Sequence, residues 1–271
     1  MDPSHSAPAA APAAVPWPKP AKGLGATLQG MALYHGRPRR RIACLLSPMR
    51  SGSTLLKSLL GQAPDVSHFP EYPFYRLGSC NRYEAYRTVR ALGPEPILLL
   101  KHPREPSRRR YPHLPKLPLK LILLARDAPA VVRSLTRLYA SQRPDTGALL
   151  HYWLETWQKI FDAAAERPAA DVRLVHYEQL VEQPVTVTAA LFEFLGSARV
   201  QGLDSYAPAP GHDWRWGQDD ASDKIRSRRV QPTRPAAPDA GLLEAMAAVP
   251  GLEDMRRRLG YANRAHPRAP E

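Results

Sequence analysis

The segment Ser47-Pro48-Met49-Arg50-Ser51-Gly52-Ser53-Thr54 is the part of this chain best equipped for chemistry. It follows a compact apolar run, Arg41–Leu46, and precedes a stretch with Leu55, Leu56, Leu59 and Leu60 on one helical face. Small residues in a strand-to-helix turn let successive backbone N–H groups converge on one spot, and the helix dipole adds positive potential there. Such a turn binds phosphate or sulfate oxygens. The nucleoside-triphosphate loop G-x-x-x-x-G-K-[ST] is the natural standard. Gly52 and Thr54 fill its second Gly and its Ser/Thr, but Ser47 stands at the first Gly and Ser53 at the Lys. The cation instead comes two residues before the glycine, as Arg50. A kinase acting on a nucleoside or small molecule would need the triphosphate and magnesium, and Ser53 at the Lys position speaks against it.

Arg50-Ser51-Gly52-Ser53-Thr54-Leu55-Leu56 resembles the R-[ST]-G-[ST]-[ST] loop of sulfotransferases that use 3′-phosphoadenosine-5′-phosphosulfate (PAPS). The resemblance implies that the loop Arg50–Thr54 grips the 5′-phosphosulfate, with Arg50 at the bridging oxygen and leaving phosphate. The family's second signature is a strand ending in Arg with a Ser eight residues later. Here Leu121-Ile122-Leu123-Leu124-Ala125-Arg126 is followed by Ser134 at that spacing. An arginine fork and a facing hydroxyl suit a 3′-phosphate. Residues 172–180, with Tyr177-Glu178-Gln179-Leu180, and the later Phe194-Leu195-Gly196 resemble the family's "YEDL … FLG" segment, which would put Tyr177 near the adenine. Lys224-Ile225-Arg226-Ser227-Arg228-Arg229 is the candidate for the late basic loop over the 3′-phosphate, with Arg226 its representative.

Transfer to an alcohol or phenol also needs a group to accept the hydroxyl proton. The resemblance offers two positions. Glu71, in His68-Phe69-Pro70-Glu71-Tyr72, lies after the first helix as in bacterial-type members with a Glu base. His102 follows Lys101 one residue too early for the "KTH" pattern of other members. Lys101-His102-Pro103 is closer to "K-x-P", where the Lys assists at the sulfuryl group. Imidazole titrates near ~6.5 unaided, whereas a carboxylate near ~4.3 needs burial to become an effective base. Position favours Glu71; intrinsic chemistry favours His102. Position carries more weight here, because His102 breaks the spacing of its motif.

The elements that must hold these residues read as an α/β fold, a three-layer sandwich with a central parallel sheet and a P-loop-like turn. Strands are expected at 41–46, 97–100, 119–125 and 172–175, and helices after residue 52, from Asp127 to about 139, over 147–166, near 185–194 and over 242–259. Asp127 reads as an N-cap with Pro129 in the first turn. Trp153 and Trp157 share a helix face and read as core. Residues 203–240 combine charge with little periodicity and suggest a long ligand-associated loop.

The chain has 271 residues, enough for one sizeable core plus extensions. Residues 1–37 open with six Pro and six Ala in the first twenty and read as a disordered extension, with a short helix near 25–34. The folded unit is expected over 38–261 and a flexible tail over 262–271. A net charge of +13 calls for an anionic partner. Nucleic acid would satisfy that count, yet no recognised reading module is present, so no nucleic-acid partner is expected. Two cysteines make neither a disulfide framework nor a zinc cluster, and no carboxylate pair has magnesium-site spacing, so no metal is expected. No run long enough to span a membrane occurs, and a cytoplasmic location follows as the expectation. PAPS is the implied donor, and the acceptor a small molecule, lipid or carbohydrate bearing a hydroxyl.

Overall fold

A computed structural model describes residues 20–36, 40–67, 77, 79–101, 117–207, 227–232 and 237–261. Four strands, β1 (Arg41–Leu46), β2 (Ile97–Lys101), β3 (Leu119–Ala125) and β4 (Val172–His176), form one sheet in the order β2-β1-β3-β4. All three pairings are parallel. β1 and β2 are almost wholly apolar because both their faces are covered. β4 exposes Arg173 and Leu174, as an edge strand can.

Side chains alternate between two cores. On one face, Ile42, Cys44, Leu46 and Leu121 meet α3 (Arg82–Arg90), α4 (Ala128–Leu138), α5 (Thr146–Ala165), α8 (Ala240–Ala247) and α9 (Leu252–Arg258). On the other, Ala43, Leu45, Leu99 and Ile122 meet α2 (Ser53–Leu60), α6 (Tyr177–Glu182) and α7 (Pro184–Leu195). The three-layer parallel arrangement expected from the strand runs is the one observed. Trp153 and Trp157 are fully buried core residues, and burial pushes the Cys44 thiol well above its ordinary range. No helix among the described residues is long and apolar enough to cross a membrane.

Three expectations are corrected. The helix near 25–34 is α1 (Leu24–His35), and it is docked on the domain rather than left in an extension. Gly30 lies so close to the Tyr83 backbone that a Cβ would overlap it, and Tyr34 makes edge contacts with Tyr83 and Tyr86 at 5.6 and 5.3 Å. The folded unit therefore begins ahead of α1, not at residue 38. The helix foreseen over 242–259 is two helices, because Gly251 turns left-handed at φ 78° between α8 and α9. Asp127 occupies the N-cap position of α4 but its side chain makes no cap bond; it pairs with Arg256 instead.

α3 escaped the strand–helix reading although its start signal is local. The Asn81 Oδ1 accepts from the Tyr83 and Glu84 N–H groups at 2.9 and 3.0 Å, and Glu84 Oε2 accepts from Asn81 N–H at 3.0 Å. This is a capping box. The other oxygen, Oε1, accepts from Gly23 N–H at 2.8 Å and so ties α1 to α3. Backbone N–H donors from Asn81 and then Gly23 hold the Glu84 carboxyl below its usual range.

Candidate active site

Where β1 ends, the chain must reverse into α2 within six residues, and two left-handed conformations accomplish this. Arg50 has φ 64° and Gly52 φ 88°. Left-handed backbone is ordinary for glycine and uncommon for arginine, so the turn holds Arg50 against its local preference. Gly52 is required for a second reason: a Cβ there would overlap the Tyr177 ring. Ser51 is fully buried, and its Oγ has no hydrogen-bond partner among the described residues. Ser53 and Thr54 open α2 immediately after Gly52.

The neighbouring strands bring cations to this turn from both sides. From β2, Lys101 is 6% exposed and its Nζ donates to Thr54 Oγ1 at 3.0 Å. From the end of β3, Arg126 donates to the Arg50 carbonyl at 2.7 Å and stacks 4.4 Å over the Tyr177 ring. The Arg126 Nε is buried with no partner among the described residues, and burial lowers the guanidinium from its ordinary value. Midway along α4, Ser134 Oγ accepts from Arg50 Nε at 3.0 Å. Arg50 thus bridges the turn after β1 and the Arg126–Ser134 corner after β3.

A brace behind this corner was not anticipated. Trp153 Nε1 donates to the Arg126 carbonyl at 3.1 Å. Asp127 takes a two-pronged contact from Arg256 of α9, at 2.8 and 2.9 Å. That pairing raises the Arg256 guanidinium above its ordinary range. Glu178, beside Tyr177, is buried and accepts from Asp127 N–H at 3.3 Å and from Tyr261 OH at 3.0 Å. His176 Nε2 meets the Leu259 carbonyl at 2.7 Å. The residues on each side of Tyr177 are therefore anchored to the α9 end of the chain.

Of the residues singled out by sequence, Arg50, Ser51, Gly52, Ser53, Thr54, Lys101, Arg126, Ser134 and Tyr177 converge on one end of the sheet. Glu71, His102 and Arg226 lie outside the described residues. The neighbours of Arg226 in the basic segment return to the domain: Tyr206 N–H donates to Arg228 O at 2.9 Å and Val230 N–H to Asp204 O at 2.7 Å.

Comparison with known proteins bears on this arrangement. Residues 117–200 match the model of the sulfotransferase family, a span that contains Arg126, Ser134 and Tyr177. This is a sulfotransferase fold. The sulfotransferase domain of the curacin biosynthetic pathway shares 17% identity over 82% of this chain and 98% of its own, at a TM-score of 0.50. The sulfotransferase domain of the Synechococcus PCC 7002 olefin synthase shares 23% over 78% and 94%, at 0.51. A sulfotransferase from Alicyclobacillus acidocaldarius shares 12% over 83% and 97%, at 0.51. No curated protein sequence matches the chain. The family match thus takes in the Arg126–Ser134 segment, and the likeness of fold extends to the sheet that carries both this segment and the Arg50–Thr54 turn.

Proposed function

We propose that the protein transfers a sulfuryl group from PAPS to a hydroxyl of a small-molecule, lipid or carbohydrate acceptor. The observation that carries this reading is the Arg50 bridge, which links an anion-binding turn to an arginine–serine pair suited to a second phosphate. The residues present fit such a donor. The turn has two left-handed residues, a backbone conformation that suits N–H groups to an anion, and buried Ser51 Oγ and Arg126 Nε have no partner among the described residues. The donor would supply the activated sulfuryl group and a phosphate leaving group. Arg50 and the turn would bind the 5′ side; Arg126 and Ser134 would bind the 3′-phosphate; Tyr177 would flank the base. Lys101 would neutralise charge on the moving group, which is how a protein lowers the barrier of such a transfer. Glu71 would accept the acceptor's proton, with His102 in a lesser role.

Thermal melting tests the reading directly. Adenosine 3′,5′-bisphosphate should raise the Tm while ATP with magnesium should not, since only a ligand of the folded state stabilises it. A shift with ATP and magnesium alone would favour a kinase instead. For the base, Glu71→Gln should lower kcat by about 10²–10⁴-fold with nucleotide affinity nearly unchanged. His102→Ala should cost clearly less; the reverse ranking would make His102 the base.

A further inference from the structure

α1 carries an apolar stripe that nothing in the described domain covers. Leu24, Leu28 and Met31 are 76%, 55% and 40% exposed. Their spacing places them on one face of the helix, beside the Gly30 and Tyr34 contacts with α3. The helix has no Asp, Glu, Lys or Arg, yet its surroundings are strongly basic. Lys22 precedes it, Arg40 follows it, and Arg82, Arg87 and Arg90 line α3 alongside. Arg87 Nε donates to Gln29 Oε1 at 2.8 Å, so the two helices present one surface. The acids nearby are spoken for. Glu84 is turned inward onto the start of α1, and Glu95 faces Arg40. In the sequence, residues 3–64 contain no Asp or Glu at all.

An exposed apolar stripe rimmed by cations fits a surface that is greasy within and negative at its edge. A second copy of this chain is a poor match, because self-docking would bring two surfaces of the same positive sign together. We propose that α1 is an interfacial helix that seats the protein on an anionic lipid surface, inserting Leu24, Leu28 and Met31 beneath the headgroups while Lys22, Arg82 and their neighbours meet lipid phosphates and carboxylates. Three short side chains and a basic rim are each weak signals, and together they give reversible, salt-sensitive attachment. This inference is independent of the donor site.

Vesicle sedimentation of the full chain tests it. The protein should pellet with phosphatidylcholine vesicles containing about 30% phosphatidylserine, remain in solution with phosphatidylcholine alone, and be released by about 0.5 M salt. The triple substitution Leu24→Ser, Leu28→Ser, Met31→Ser should weaken binding at least about tenfold, from the lost apolar transfer. Its Tm should match the wild type, since the three side chains are exposed. Should the triple variant melt early, Leu24→Ser with Lys22→Glu provides the same comparison at the most exposed position, with a smaller loss. Three results overturn the proposal: wild-type protein that stays in the supernatant with anionic vesicles, stripe variants that pellet like wild type, or a wild-type dimer that the triple substitution converts to monomer. The first would leave an acidic protein partner as the reading of the stripe, and the last a second copy.

Discussion

Lys101 and Arg126 stand on opposite flanks of β1, the first buried and the second half-buried, each a cation at the end of a strand. They are held differently. Lys101 reaches the turn through a hydroxyl, Thr54, on the first turn of a helix. Arg126 is fixed by the Arg50 carbonyl, the Tyr177 ring and, through its own backbone, the Trp153 indole. Its successor Asp127 is then locked to Arg256. A guanidinium is a rigid planar fork that holds a static anion, whereas an ammonium is a point charge with rotatable donors that can follow a moving one. Under the proposed function, the contrast divides holding the donor from responding to the transfer.

Substituting the two residues should break that contrast most visibly. Lys101→Ala should lower kcat about 10²–10³-fold, the usual cost of one donor to developing charge, with little change in affinity for adenosine 3′,5′-bisphosphate. Single-turnover rates beside calorimetric Kd values would separate the two. Equal losses in both would mean that Lys101 is simply another donor ligand. Arg126→Ala should weaken the bisphosphate about ten- to hundredfold and leave 5′-AMP nearly unaffected, because a charge-assisted contact contributes about 1.5–3 kcal/mol. If both nucleotides weaken alike, Arg126 does not read the 3′-phosphate.

Smaller effects sharpen the picture. Tyr261→Phe removes one hydroxyl from buried Glu178 and should cost about 1 kcal/mol, lowering the Tm by roughly 2–4 °C with a slight rise in nucleotide Kd. An unchanged Tm would mean that the brace contributes nothing. The smallest effect concerns pH. The Glu84 carboxyl is held below its usual range by backbone donors, so it contributes stability above its unfolded pKa of about 4.3. That contribution should fade as pH falls through the lower folded value. Glu84→Gln should therefore lower the Tm near neutral pH, where the contribution is fully present, and flatten the acid limb of the Tm–pH curve.

How much of this was legible in the sequence follows from the range of the interactions. The turn after β1 is local: six residues between an apolar strand and a leucine-faced helix announce it. The Arg126–Ser134 pair is also local, being one strand end and the helix that follows. The α3 capping box was equally readable, since Asn81 and Glu84 have the right spacing, but no apolar periodicity drew attention to it. The brace is different. Arg256 lies 129 residues from Asp127, and Tyr261 lies 83 from Glu178. Nothing in either neighbourhood specifies its partner. The helix of α1 was legible but its docking was hidden, because that docking rests on a glycine, Gly30, and an aromatic contact, Tyr34, rather than on a continuous apolar face.

The Arg256–Asp127 pair also bears on the order in which the protein matures. A ribosome delivers β1, the turn and the Arg126 corner well before it delivers α9. Until Arg256 and Tyr261 emerge, Asp127 and Glu178 have lost their partners and the end of β3 lacks its support. A nascent chain can thus assemble its sheet by neighbouring strand contacts and still wait on its last helix to stiffen the corner. Donor affinity would then arrive as a late event in synthesis, and a chain arrested before residue 256 would be folded in outline but slack where it must grip.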